Sequence, residues 1–127
     1  MKIVFPEGKK VNALYNDFII ETDQDKSSGG QGSAPEPFDL FLASIGTCAG
    51  VYVLNFIQNR KLSTAGLSMT LDSQYDEDLH MVTKIILNIQ LPKDFPPKYE
   101  KAIIKSAGLC SVKRHLKSII QIEIKTN

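Results

Sequence analysis

The sequence predicts an α+β fold, and three observations carry that reading. Short runs rich in β-branched and aromatic residues read as strands on both sides of the chain's middle. Between Asp39 and Arg60 there is no charged residue at all, which reads as one long central helix. A second strand pair is then followed by a Pro-initiated amphipathic segment. The predicted order is strands, long buried helix, strands, helix, strand, in a single domain over residues 1–127. That length falls within the usual roughly 100–200 residues per domain.

Met1–Phe5 supplies a candidate first strand. Val11 to Asp23 places apolar residues on both sides of Asn16-Asp17, a turn-forming pair, and so predicts a hairpin. Gln24 to Pro35 is rich in Ser and Gly and reads as a flexible loop. It lacks both the Gly-Lys-Ser/Thr ending of a P-loop and the Gly-x-Gly-x-x-Gly spacing, so no phosphate cradle is expected. Pro37 suits the first turn of the central helix, and Asp39 suits its positive end. The uncharged run is long enough to cross a bilayer, with small residues at Gly46 and Gly50. Ser44, Thr47, Asn55, Gln58 and Asn59 interrupt it, and no second such segment exists, so a core helix packed on several sides is expected instead. Gly46 and Gly50 project about 200° from Cys48 on a regular helix and read as a close-packing stripe against a second helix or a partner subunit.

Leu67 to Tyr75 and Met81 to Leu91 form the second strand pair, joined by the acidic turn Asp76-Glu77-Asp78. Alternation is clearest at Ile85, Leu87, Ile89 and Leu91. Pro96-Pro97 opens the second helix, which shows Tyr99, Ala102, Ile103, Ser106 and Ala107 on one face and ends at Gly108. Ser111 to Leu116 reads as a short further helix and Ile119 to Lys125 as a closing strand.

Composition narrows the function. Fifteen basic against fourteen acidic side chains leave a net charge of +1, without the broad basic field of a general nucleic-acid binder. Pro6 and Glu7 cut the N-terminal apolar run too short for a signal peptide, so a cytoplasmic address is expected. The two cysteines, Cys48 and Cys110, are then either buried inert thiols or a working redox pair. Two histidines, His80 and His115, complete the soft-ligand inventory. No Cys-x-x-Cys or His-x-x-x-His pairing sets two ligands on one turn, so neither metal nor cofactor is expected. His80 belongs to the acidic turn, and nothing in the sequence fixes the direction of His115.

Cys48 sits mid-helix, where burial alone would leave it inert, so reactivity needs a cation or donor from another segment. Arg60 stands twelve positions on, roughly 18 Å away along the same helix. The other arginine is Arg114. Cys110 has the better local setting, between two helical segments and close to backbone N–H groups, Lys113 and Arg114.

The stretch Gly29-Gly30, with Ala34-Pro35-Glu36-Pro37-Phe38-Asp39-Leu40-Phe41-Leu42-Ala43-Ser44-Ile45-Gly46-Thr47-Cys48, resembles the OsmC/Ohr-like family of osmotically induced and organic-hydroperoxide-resistance proteins. Cys110-Ser111-Val112-Lys113-Arg114-His115-Leu116 looks like that family's second cysteine motif, and the element order agrees over nearly the whole chain. The resemblance implies an intertwined homodimer with buried central helices. It further implies a thiol peroxidase in which Cys48 attacks an organic hydroperoxide, Cys110 captures the sulfenic acid as a disulfide, and a dithiol regenerates the pair. The two cysteines should then approach within disulfide range. The best-understood peroxidase branch of that family has an arginine in the N-terminal strands and a glutamate ten residues before the first cysteine, and this chain looks more like another branch. Here no arginine precedes Cys48, and Phe38 holds the glutamate's position. Arg114, Lys113 and Glu36 are therefore the candidate activating or orienting groups. A non-enzymatic member of the fold, binding a small molecule or sensing redox state, is the alternative.

Overall fold

The computed structural model of this chain describes residues 1–116, 123 and 125. It is mixed α+β, as the sequence predicts. The chain divides into two compact units, Met1–Ala43 and Ser44–Asn127. The expected closing strand from Ile119 to Lys125 lies, apart from residues 123 and 125, outside the described residues.

In the first unit, strands β1 (Lys2–Val4), β2 (Asn12–Tyr15) and β3 (Phe18–Ile20) form an antiparallel sheet in the order β1-β2-β3. Tyr15 pairs with Phe18, which leaves Asn16-Asp17 as the hairpin turn. Asn16 takes φ 52, a left-handed conformation that asparagine tolerates better than most residues. The Ser/Gly loop that follows is not a loose tether. It is folded around Asp23, which is fully buried and accepts four hydrogen bonds. The donors are the N–H groups of Gln24 (2.8 Å), Gln31 (3.2 Å) and Ser33 (3.0 Å), and the Ser33 hydroxyl (2.9 Å). These donors, the Ser33 N–H foremost, outweigh burial and hold the Asp23 carboxyl down at about 2. Gly30 completes the packing, because a Cβ there would fall 2.0 Å from the Gln24 carbonyl oxygen.

The long helix α1 (Pro37–Gln58) begins in this unit and continues into the next. The Asp39 carboxylate accepts the Glu36 N–H at 3.1 Å, so its charge closes the first turn.

The second unit packs α1 from Ser44 onward with the antiparallel pair β4 (Ser68–Asp76) and β5 (Met81–Gln90) and the helix α2 (Glu100–Ala107). A 3-10 turn at Pro97–Tyr99 leads into α2, and α3 (Ser111–Leu116) follows it. The strands turn where the sequence places the acidic cluster. There the Asp76 carboxylate accepts the N–H groups of Asp78 and Leu79, both at 3.0 Å. The core consists of Val53, Phe56, Ile57, Phe95 and Ile103, with Met69, Ile89 and Ala107 among those packed around it. The Ser106 hydroxyl of α2 donates to the Tyr52 carbonyl of α1 at 3.2 Å.

Two expectations about α1 change. Its buried residues, Ile45, Ala49, Val53, Phe56 and Ile57, fall at helical spacing on one face. Val51 and Leu54, on the far side, stay exposed, so a single chain covers one face of the helix rather than several. The glycine flank meets a strand rather than a helix. A Cβ on Gly46 would stand 3.8 Å from Leu71 Cδ1, and one on Gly50 3.8 Å from Met69 Sδ, both on β4. By length and composition alone, α1 could also cross a membrane. Here its apolar face lies in the core of the second unit.

Candidate active site

Cys48 lies on the flank of α1 between its buried and exposed faces and is half-buried. Its own helix uses the local backbone groups, so its partners must come from elsewhere. They come from the short link between α2 and α3. Cys110 occupies that link because α2 stops at Gly108, whose N–H still bonds back to the Ile104 carbonyl at 3.1 Å. The Cys110 carbonyl then accepts the Arg114 N–H at 3.1 Å, which starts α3. This turn brings three consecutive residues onto the Cys48 sulfur.

Ser111 Oγ stands 3.5 Å from Cys48 Sγ. Both cysteines are free thiols, and the Cys110 thiol acts on the acidity of the same sulfur. The N–H groups of Val112 and Ser111 also act on it. Together these donors lower the Cys48 thiol from 9.0 to about 7, the Cys110 thiol contributing most, then the Ser111 hydroxyl, then Val112 N–H, against burial. At pH 7, about half of such a thiol is ionised, against about 1% for a thiol at the ordinary 9.0.

Cys110 moves the other way. It is only 1% exposed, and burial pushes its thiol up. Its hydrogen bond to Cys48 and the charge there push in the same direction, while the Lys113 N–H, 3.4 Å from its sulfur, partly offsets them. The pair is therefore polarised, with Cys48 as acceptor and Cys110 as proton holder. The sequence favoured Cys110 as the better-placed thiol because it adjoins free helix-end N–H groups. Burial reverses that order, and the neighbouring N–H groups of Ser111 and Val112 serve Cys48 instead.

On the Cys110 side of the pair is a cavity of about 480 Å³ within the second unit, which Cys110 lines and Cys48 does not. Ile45, Leu87, Ile103 and Ala107 give it an apolar wall, and Cys110 and Lys113 also line it.

A family model described as OsmC-like protein matches residues 30–125. The chain belongs to the OsmC-like family. Solved structures agree with this OsmC-like assignment at the level of fold. One is described as an osmotic stress induced and detoxification response protein from Psychrobacter arcticus 273-4 (20% identity, TM-score 0.76, covering 90% of this chain and 85% of that one). A second is an organic hydroperoxide resistance protein OsmC from Legionella pneumophila (17%, TM-score 0.57, 91% and 86%). A third is the organic hydroperoxide resistance protein OhrB of Bacillus subtilis (13%, TM-score 0.53, 91% and 89%). The family thus includes hydroperoxide resistance proteins. Among curated proteins, none matches this sequence.

Within this OsmC-like chain the other expected site residues have distinct places. Lys113 reaches the pair through its backbone N–H to Cys110 and lines the cavity. Arg114 is exposed, and its backbone N–H serves the Cys110 carbonyl. The leading groups that hold Cys48 down are a thiol, a hydroxyl and backbone N–H groups, rather than either of these side-chain cations. Glu36 belongs to the first unit, where its carboxylate accepts the Asp25 N–H at 3.1 Å. His115 is directed after all, with Nδ1 donating to the Ser111 carbonyl at 2.7 Å. The sequence reading missed Ser111. Its signal was available: a hydroxyl residue directly after a cysteine, at the start of a helical pattern.

Proposed function

We propose that this protein is a thiol peroxidase for organic hydroperoxides, with Cys48 as nucleophile and Cys110 as resolving thiol. The observation that carries the reading is the polarised thiol pair, one sulfur held near neutrality in its acidity and the other keeping its proton. The Cys48 thiolate attacks the terminal oxygen of ROOH, the O–O bond breaks, and the alkoxide takes up a proton to leave as ROH. Cys48 is then a sulfenic acid. The Cys110 sulfur attacks that sulfenic sulfur, forming the Cys48–Cys110 disulfide, and its proton leaves with the hydroxide as water. A dithiol reduces the disulfide by two exchange steps and is itself oxidised to a cyclic disulfide. The apolar cavity at Cys110 supports an organic rather than an inorganic substrate.

The same reading pairs the chain with a second copy, which would cover the apolar side of α1 that carries Val51 and Leu54. A folded monomer at micromolar concentration in sedimentation would overturn that part.

The catalytic test follows dithiol oxidation driven by an alkyl hydroperoxide. Cys48→Ser should abolish turnover. Cys110→Ser should stop after one turnover and leave a sulfenic acid that dimedone traps at Cys48. Unchanged turnover in Cys48→Ser rejects the nucleophile. No turnover in the parent with any dithiol transfers support to the ligand-binding reading of the same cavity.

A further inference from the structure

We infer that Ser111 is a catalytic residue of this site, its hydroxyl donating to the Cys48 sulfur and sustaining the thiolate. The catalytic part of that role rests on the peroxidase reading above. The contact itself does not.

The geometry is a 3.5 Å approach of Ser111 Oγ to Cys48 Sγ, within hydrogen-bond reach for the large sulfur atom. A hydroxyl carries one rotatable proton and two lone pairs, so beside a neutral thiol it can donate or accept. Beside a thiolate it can only donate usefully. The contact is therefore stronger in the ionised state, and a group that favours one protonation state shifts the equilibrium towards it.

Ser111 differs from the other side-chain donor in surviving the reaction. Cys110 must surrender its proton and its hydrogen bond when its sulfur joins Cys48, as the balance Cys48–SOH + Cys110–SH → disulfide + H₂O requires. Ser111 is not consumed by any step, so it can receive the thiolate again when the disulfide is reduced. Its backbone is also fixed. The Ser111 carbonyl accepts His115 Nδ1 at 2.7 Å, and the preceding carbonyl accepts the Arg114 N–H at 3.1 Å. These bonds present the donor and the resolving thiol on one turn.

The experiment compares the parent with Ser111→Ala and Ser111→Thr in two assays. The first is the pH dependence of Cys48 alkylation by iodoacetamide, read on the Cys48 peptide by mass spectrometry. The second is the pH profile of alkyl hydroperoxide reduction. Loss of one charge-assisted hydrogen bond should raise the Ser111→Ala alkylation midpoint by about one pH unit. Alkylation at pH 7 should then slow about fivefold and recover fully in alkaline buffer. Ser111→Thr, which keeps the hydroxyl, should track the parent. An unmoved midpoint in Ser111→Ala overturns the inference, and so does an equal rise in both variants, which would mark a packing effect. If alkylation responds as expected but no variant, nor the parent, reduces hydroperoxide, the peroxidase reading fails and the hydroxyl–thiolate contact stands.

Discussion

Asp23 and Cys48 are both acidic groups held by hydrogen-bond donors, and they have opposite fates. In the first unit, Asp23 is fully enclosed and meets four donors at 2.8–3.2 Å. In the second, the half-buried Cys48 meets a hydroxyl at 3.5 Å, a thiol and backbone N–H groups. The carboxylate ends at about 2 and the thiol at about 7. Close, saturating bonds make a charge permanent, and a permanent charge is a structural part. Longer bonds to a polarisable sulfur leave the charge half-formed at neutral pH, and that suits a nucleophile.

The largest effects should come from removing each of these two acceptors by mutation. Asp23→Ala removes the acceptor and strands the N–H groups of Gln31 and Ser33 in a partly buried loop. A fall of several degrees in Tm is expected, measured by thermal unfolding. Cys48→Ser should abolish peroxide chemistry while leaving Tm within a degree or two of the parent. Equal losses of stability in the two variants would remove the distinction.

The pH dependence sharpens the same contrast. The folded Asp23 value of about 2 lies below its ordinary 3.8, so its stabilisation is complete above the ordinary value. It is lost as pH falls through that window to about 2, and denaturant melts across the window should lose this component in the parent and not in Asp23→Ala. Cys48 should show its transition near neutrality instead, as a rise in alkylation rate centred at about pH 7.

Much of this was legible in the sequence, and the reasons differ by element. The uncharged run before Arg60, the Asn16-Asp17 turn and the acidic turn at Asp76 are local signals, and local signals need no partner to be read. The two cysteines could be paired only through the likeness of their motifs, because nothing in their spacing joins positions 48 and 110. Asp23 stayed hidden since a carboxylate beside a Ser/Gly run looks like solvated loop until its burial is known. Ser111 stayed hidden for a related reason. Helix-end N–H groups were assigned to the cysteine nearest in sequence, whereas the turn directs its donors to the one across the interior.

Two glycines compare the units again, one with a large expected effect and one with the smallest. Gly30→Ala drives a Cβ to 2.0 Å from backbone and should unlatch the Asp23 loop, lowering Tm. Gly46→Ala meets only a side-chain methyl at 3.8 Å. It should be neutral or stabilising by up to about 1 kcal/mol, the helix-propensity difference between the residues, in denaturant titration. A strong loss in Gly46→Ala would mean that Leu71 on β4 cannot give way at this flank of α1.

The unequal acidity of the two thiols gives any disulfide between them a direction. Thiol exchange proceeds faster when the departing sulfur is the more acidic partner. In the proposed cycle, a thiolate that reaches Cys110 through the cavity would therefore release Cys48, the more acidic sulfur, already charged. Cys110 is also the member of the pair that lines the apolar cavity. A bond made from unlike halves would behave as a latch with one handle, and the handle would be on the side of Cys110.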